Sequence, residues 1–348
     1  MDMANVTDHL EKAINVLYLS DNNYAVFLGV SIVSLFENNK SIPALCIYII
    51  DDAIAVENKK KLLSIAQKYK RQLIFLDISE GIRKLKELHV PLYRGSYTTY
   101  LKLFTFALLP DYVHRILFID TDTVVVGDVS GILQIEMDGN PVSAVMDNLC
   151  APDKKCLGYS EKDLWFNMGV MLVDVDMWKR MDCEQIMIDT MKKRCAYVAV
   201  DQNLLNIGLR GHISILSPAY NMTQHHQVYS YEAFLKLFPQ ESFYSENVME
   251  EAKQHPIVYH FERFIGESPW HKDNVTFYSD EFDKYLAMTP WKDYEKKPAN
   301  ASMVLKIEKV LYKLLPHDLF LYIYAVAMNM YVKKLNKELE KGIENIAM

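Results

Sequence analysis

The chain has 348 residues, enough for one large domain, or one domain plus an extension, around a sizeable core. Half of its residues are apolar, 22 are Tyr and 15 are Phe, and its formal net charge is −7. That acidic balance, with a pI near 5.8, argues against a nucleic-acid binder held by phosphate contacts.

Residues 1–5 offer neither the basic n-region nor the apolar h-region of a signal peptide, so a cytoplasmic protein is expected. The sequons at Asn5, Asn221, Asn274 and Asn300 are then accidental. Cys46, Cys150, Cys156, Cys183 and Cys195 are odd in number and have no C-x-x-C partner, which reads as reduced thiols without a zinc site. Ile14 to Leu19 is a first buried strand, broken by the polar turn Ser20-Asp21-Asn22-Asn23-Tyr24. Such a turn is the usual nucleotide end of a βα unit, and no Gly-rich fingerprint accompanies it. Asp21 or Asn23 suits a base or ribose; helix capping is the competing reading.

A helix over Ala25 to Glu37, a strand over Cys46 to Ile50, an amphipathic helix over Glu57 to Tyr69 and a strand over Leu73 to Leu76 follow. Leu62, Leu63, Ile65, Ala66 and Tyr69 are expected to face inward on the second helix. The alternation predicts a parallel sheet with right-handed crossovers. Thr99 to Leu109 reads as a helix stopped by Pro110. Lys102 on it either snorkels or points at a phosphate.

Ile116 to Ile119 is a strand buried on both faces, and it ends on Asp120-Thr121-Asp122. Two carboxylates one residue apart share a side of an extended segment, at the strand end where open α/β sheets bind ligands. They suit a hard cation such as Mg²⁺ or Mn²⁺ that bridges to phosphate. A second D-x-D, Asp174-Val175-Asp176, reads as structural, with Asp174 a strand end and Asp176 a helix N-cap.

Val142 to Met146 is a strand with Asp147 at its end, and Trp165 to Val173 is another. Asn167 and Gly169 in it indicate a close backbone approach or a bulge. Asp201-Gln202 opens a helix. Residues 219–254 are irregular and aromatic, an insertion covering a cleft. Pro256 to Phe261 is a last strand containing His260, followed by Gly266-Glu267-Ser268-Pro269-Trp270-His271. A lone histidine there is ordinarily a satisfied core residue. The tail, residues 302–341, is helical and divided by Pro316. Its apolar run over Leu319 to Val332 is too short to span a bilayer, and flanking lysines suit a helix lying on an anionic membrane surface. Packing on the main domain or on a second copy, as a homo-oligomer, is the competing reading.

Taken together these segments resemble the family 8 glycosyltransferases, which include bacterial lipopolysaccharide glucosyl- and galactosyltransferases and glycogenin. The resemblance runs from about Ile14 to Trp270 and rests on motifs in family order. They are Ser20 to Tyr24, Thr99-Tyr100-x-Lys102-Leu103, Leu109-Pro110 before Ile119 to Asp122, Phe166-Asn167-x-Gly169-Val170, Asp201-Gln202-x-x-Leu205-Asn206, and His260-Phe261 before Pro269-Trp270. The resemblance implies an α/β GT-A fold, with a Rossmann-like, mostly parallel sheet flanked by helices. A catalytic domain over 12–295 would contain the 219–255 insertion, and 300–348 would be a helical extension. It implies Mn²⁺ (or Mg²⁺), a UDP-hexose donor such as UDP-glucose or UDP-galactose, a glycan or lipid-linked saccharide acceptor, and retention of configuration.

Carried over residue by residue, the resemblance makes Asp120, Asp122 and His260 the metal ligands. Ser20, Asp21, Asn23, Tyr24, Lys102, Thr121, Asn167, Gly169, Gly266 and Ser268 fall on the donor side. Asp201 would hold sugar hydroxyls, Gln202 would face the anomeric carbon, and Asp147 would lie toward the acceptor. The chain departs from the family at Lys102, where Arg is usual, and at Ser268, where Lys is usual. The spacing from His260 to Pro269 is also longer than usual. Arg263 or Lys272 is the expected replacement for the missing phosphate contact. Two other readings compete. One is a haloacid-dehalogenase-like phosphatase with Asp120 as nucleophile. The other is a degenerate protein that binds nucleotide sugar without turnover.

Overall fold

The computed structural model describes residues 13–90, 92, 96–147, 159–160, 162–193, 200–238, 241–265 and 267–346. Ten strands are named: β1 (Ile14–Asp21), β2 (Leu45–Asp52), β3 (Gln72–Leu76), β4 (Arg115–Ile119), β5 (Thr123–Val125), β6 (Val142–Met146), β7 (Phe166–Asp174), β8 (Ile213–Ile215), β9 (Met222–Thr223) and β10 (Val258–His260). Seven of them form a central sheet in the order β3-β2-β1-β4-β7-β6-β8, and a small sheet runs β5-β10-β9. The helices used below are α1 (Ala25–Asn38), α2 (Val56–Lys68), α3 (Ser79–Glu87), α4 (Thr98–Leu101), α5 (Val175–Arg180), α6 (Cys183–Lys193) and α7 (Val200–Gly208). They continue with α8 (Gln224–Val228), α9 (Tyr231–Leu237), α10 (Glu246–Gln254), α11 (Ser279–Leu286), α12 (Met303–Leu314) and α13 (His317–Ile346).

The mostly parallel α/β sheet is as expected, with one reversal. β7 runs antiparallel to both β4 and β6. A strand buried on both faces has the same apolar run in either direction, so its pattern carries no sense of direction. Between Ala144 and Val145 the β6–β7 register jumps from Met171 to Asn167, so β7 bulges around Gly169.

The D-x-D segment is the link from one sheet to the other: β4 ends at Ile119 and β5 begins at Thr123. β10 lies antiparallel to β5, with His260 opposite Thr123. That single register closes a long sequence gap and sets His260 beside Asp122. α1 holds β5 in place. Ser31 Oγ and Thr123 Oγ1 are hydrogen-bonded at 2.9 Å, Ser34 Oγ accepts from Val125 N–H at 2.8 Å, and Asn38 Nδ2 donates to Val125 O at 2.9 Å. These buried polar side chains satisfy the strand edge that β10 leaves open.

Four local readings need correction. The helix over 99–109 breaks into α4 and two 3-10 turns, Lys102–Phe104 and Phe106–Leu108. Thr105 Oγ1 bonds back to Leu101 O at 2.8 Å, which competes with the helical ladder. On α2 Leu62, Ile65 and Ala66 are buried but Leu63 is exposed, because it sits one residue off the inward stripe. Asp174, not Asp176, caps α5, accepting from Met177 N–H at 2.8 Å. The stretch 219–254 is largely helical, in α8, α9 and α10, and Met222–Thr223 is a strand of the small sheet.

The tail is split at Pro316 into α12 and α13. Phe320, Leu321, Tyr324 and Ala325 bury one face of α13 against Tyr229, Phe234, Phe238, Phe264 and Ile265. The snug side is therefore packed on the main domain. The other side exposes Met303, Val304, Ile307, Val310 and Leu314 on α12 and Leu319, Tyr322, Ile323, Val326 and Met330 on α13. Among the described residues no helix is long and apolar enough to cross a membrane. Cys46 and Cys183 are buried free thiols; Cys150, Cys156 and Cys195 lie outside the described residues.

Candidate active site

At the edge where β4 passes into β5, Asp120, Asp122 and His260 each offer a ligand atom, and these atoms lie within 4.8 Å of one another. His260 Nε2 is 3.3 Å from Asp122 Oδ1 and 4.0 Å from Asp120 Oδ2. Gly169 makes room for this group. A Cβ there would overlap His260 Cε1, lie 2.8 Å from its Nδ1 and lie 3.0 Å from Asp120 Oδ2. The close approach and the bulge, two readings of Gly169, are thus one feature. Asp120 N–H donates to Gly169 O at 2.8 Å, and Phe261 N–H donates to Asp122 O at 2.8 Å, so backbone bonds fix both carboxylates.

The electrostatics of the trio fit a divalent cation. Burial raises the Asp120 carboxyl to about 7, with Lys102 opposing and the Asp122 charge adding. Burial also works against the Asp122 charge, but the His260 imidazolium and its hydrogen bond outweigh it and hold that carboxyl below its usual range. The same pair, helped by Glu262, overcomes burial at His260 and raises its imidazole to about 9. Two acids and an imidazole thus share protons in a space that a cation would relieve. Two carboxylate oxygens with one imidazole nitrogen are a donor set that could hold a divalent cation.

Lys102 does not snorkel. It is 2 % exposed, and its ammonium pairs with Asp201, donates to Met168 O at 3.2 Å and lies 4.6 Å from the centre of the Phe118 ring. Burial disfavours its charge, yet Asp201 and Asp120 outweigh this and hold the ammonium above its usual range. Asp201 sits in the first turn of α7. Gln202 Oε1 accepts from Met168 N–H at 3.5 Å, and Asn206 bonds both Phe166 N–H and Phe166 O at 2.9 Å. The Asp201–Asn206 motif therefore binds α7 along the start of β7.

Behind Gly169 lies a second acidic group. Asn167 Nδ2 donates to Asp147 Oδ2 at 3.1 Å and to Glu262 Oε1 at 2.6 Å. Burial and the Asp147 charge raise the Glu262 carboxyl to about 7. Asp21 is occupied in its own turn, accepting from Tyr24 N–H at 2.9 Å and from Asn23 Nδ2 at 3.4 Å, while Ser20 Oγ donates to Asp21 O at 2.9 Å. These bonds lie within the turn itself: the helix that follows is capped at Tyr24 without a side-chain hydrogen bond, and Asn23 is exposed. Thr121, between Asp120 and Asp122 in the chain, is buried.

Arg263 is exposed, and its positive charge favours the ionised forms of Tyr24 and Asp122, which puts the guanidinium in the neighbourhood of the site. Lys272 is exposed, and its backbone N–H pairs with Lys297 O at 3.0 Å. Ser268 is 1 % exposed; its N–H donates to His271 Nδ1 at 3.0 Å and its Oγ has no partner. Trp270 stacks on Phe27 of α1 with ring centres 4.1 Å apart. Gly266 lies outside the described residues. Glu267 accepts from Lys309 of α12 at 2.6 Å, and Phe264 packs edge-on against Tyr312 and Tyr324 of the tail.

Sequence reasoning missed Glu262, Asn221 and the histidine pair His225–His226. His260 Nδ1 lies 3.0 Å from Asn221 Oδ1, although in the sequence Asn221 marks only an idle sequon. No local signal marks it: the β9–β10 pairing brings it in.

The chain is similar to several known proteins. The general stress protein A of Bacillus subtilis is 25 % identical over 287 residues, covering 81 % of this chain and 96 % of that protein. A lipopolysaccharide 1,2-glucosyltransferase of Escherichia coli is 27 % identical over 312 residues, covering 88 % and 86 %. The galactosyltransferase LgtC, solved with donor and acceptor sugar analogues, superposes with a TM-score of 0.63 at 18 % identity, over 80 % of this chain and 96 % of that one. That likeness shows the fold, GT-A. The profile of Glycosyl transferase family 8 matches residues 15–274. The chain belongs to glycosyl transferase family 8 and is a hexosyltransferase.

Proposed function

We propose that this enzyme moves glucose or galactose from a UDP-hexose, with retention of configuration, to a surface-glycan acceptor such as a lipopolysaccharide, a capsule or another lipid-linked saccharide. The observation that carries the reading is the convergence of Asp120, Asp122 and His260 at the sheet edge in a family 8 chain. These three residues would hold Mn²⁺ or Mg²⁺. A bound divalent cation supplies charge neutralisation for the diphosphate leaving group.

The chain's own groups do the rest. Asp201, anchored by Lys102, orients sugar hydroxyls, and Asn167 and Gly169 line the sugar. Arg263 takes the phosphate-facing role that Ser268 cannot fill, since its guanidinium is exposed and its charge is felt at Tyr24 and Asp122. Gln202 carries an amide, a poor nucleophile, so same-face attack is favoured. The bond from C1 to the UDP oxygen breaks as the acceptor oxygen bonds C1, and the acceptor proton passes to the departing phosphate oxygen. Gln202 and Asp201 stabilise positive charge on the sugar, and Asp147 faces the acceptor.

The exposed apolar stripes of α12 and α13, with exposed Lys306, Lys313, Lys333 and Lys337, support a tail that lies on an anionic membrane face where such acceptors are built. Sedimentation with anionic against neutral vesicles checks this; equal binding to both, or binding to neither, sinks it.

The test of the activity is UDP release from a panel of UDP-sugars, with Mn²⁺ and with EDTA, for wild type and Asp122→Ala. Metal-dependent release from one sugar, lost in the variant, is expected and names the donor. UDP binding without release from any sugar overturns the reading in favour of a degenerate site, and phosphomonoester cleavage overturns it in favour of a phosphatase.

A further inference from the structure

One backbone group determines how the imidazole of the metal site is turned. Gly169 N–H donates to Asn167 Oδ1 at 2.9 Å, which assigns that atom as the oxygen. The Asn167 nitrogen then faces Asp147 and Glu262, both acceptors, as its hydrogen bonds require. Asn221 approaches the same Asn167 oxygen at 2.9 Å, so it presents its NH₂ there. Its oxygen is left facing His260 Nδ1 at 3.0 Å, and an oxygen can only accept. His260 Nδ1 must therefore carry the proton. Nε2, on the far side of the ring, is the atom that faces Asp120 and Asp122.

We infer that Asn221 is a positioning residue of the metal site, holding His260 so that Nε2 is the ligand atom and joining that ring through Asn167 to Asp147 and Glu262. The inference rests on Asp120, Asp122 and His260 being the metal ligands. Asn221 is 0 % exposed, and the parallel pairing of β9 with β10, Met222 opposite Tyr259 and Thr223 opposite His260, holds its backbone beside the ring. Metal-bound histidines ordinarily donate their other ring N–H to an oxygen, which fixes ring and tautomer. Here the oxygen belongs to an amide whose other end is committed to a second amide. The metal site and the acidic pair behind Gly169 are thus ends of one hydrogen-bonded chain. The Asn221-Met222-Thr223 sequon is explained as coincidence, since the residue is enclosed.

Direct Mn²⁺ binding, read by the loss of the free-ion EPR signal on full-length protein, tests this. Asn221→Ala removes both bonds and should raise the Mn²⁺ dissociation constant about ten- to a hundredfold. Because the ring is misplaced and not lost, saturating Mn²⁺ should restore kcat toward wild type, with the deficit in the KM for the metal. A purely structural role would lower kcat at every metal concentration. Asn221→Asp keeps an oxygen for His260 and loses the donor to Asn167. It should bind Mn²⁺ within about threefold of wild type, and it decides the question if the alanine variant does not fold. Unchanged Mn²⁺ affinity in Asn221→Ala, or a loss in Asn221→Asp as large as in the alanine variant, overturns the inference while the metal reading stands. Failure of wild type to bind Mn²⁺ overturns both.

Discussion

Asp120-Thr121-Asp122 and Asp174-Val175-Asp176 have the same spacing, and each follows a buried strand of the central sheet. The first meets His260 and Gly169. In the second, Asp174 caps α5 and Asp176 pairs with His114 on the surface at 2.8 Å. Strand direction separates them. β4 and β7 are antiparallel neighbours, with Arg115 opposite Asp174 and Ile119 opposite Val170. Their carboxyl ends therefore lie at opposite edges of the sheet, and only one of those edges carries the small sheet with β10. The motif acquires chemistry from where its strand points, which its spacing does not encode.

Exchanging alterations between the two edges tests that contrast most severely. Asp122→Ala should lower UDP release by roughly a thousandfold or more, the several kcal/mol of charge stabilisation that a metal contributes. A variant still within tenfold of wild type would remove the distinction between the motifs. Gly169→Ala should lower turnover roughly a hundredfold, because the added methyl displaces His260 and the reacting geometry with it. Steady-state rates at saturating donor read this out, and a rate near wild type would mean that the added methyl is accommodated without moving His260.

Acid sensitivity should also belong to the active-site edge. His225 is buried with both ring nitrogens unpartnered, 3.9 Å from Glu262, and burial lowers its imidazole to about 4. The unfolded chain takes up this proton first as pH falls. The neutral ring's contribution is therefore complete above about pH 6.5 and is lost on the way down toward pH 4. Urea denaturation across that window should show His225→Phe with a shallower fall than wild type, by up to about 1.4 kcal/mol per pH unit. Parallel curves would show that the ring finds a proton partner in the folded state.

The mildest change is at the other edge. Asp174→Ala should reduce stability by about 1 kcal/mol through loss of a helix cap and leave UDP release unchanged. Thermal melts and activity assays on the same sample decide it, and lost activity would link the second motif to catalysis.

The local level of this fold was legible. Ile14 to Leu19, Ile116 to Ile119 and the break at Pro316 depend on neighbours in sequence, and periodicity finds them. The direction of β7 was not, because a doubly buried run is symmetric. The break in the 99–109 helix was not either: its residues favour a helix, but Lys102 is held by Asp201 and Met168 from distant strands and helices. At the site, the residues that resemblance assigns to the metal are brought together by the β5–β10 register. Asn221 and Glu262 reach the same place by pairings that leave no trace in composition or spacing.

The bond from Lys309 to Glu267 bears on how far this enzyme can be shortened. Glu267 is enclosed, 5 % exposed, and adjoins the loop that ends on Trp270; Phe264 and Ile265 beside it share a core with the tail. A chain trimmed before Met303 would leave that carboxylate without its counter-charge and those apolar residues open to water. Proteolysis between the two parts would therefore be expected to disturb the loop that carries Trp270, so the tail is not a detachable anchor.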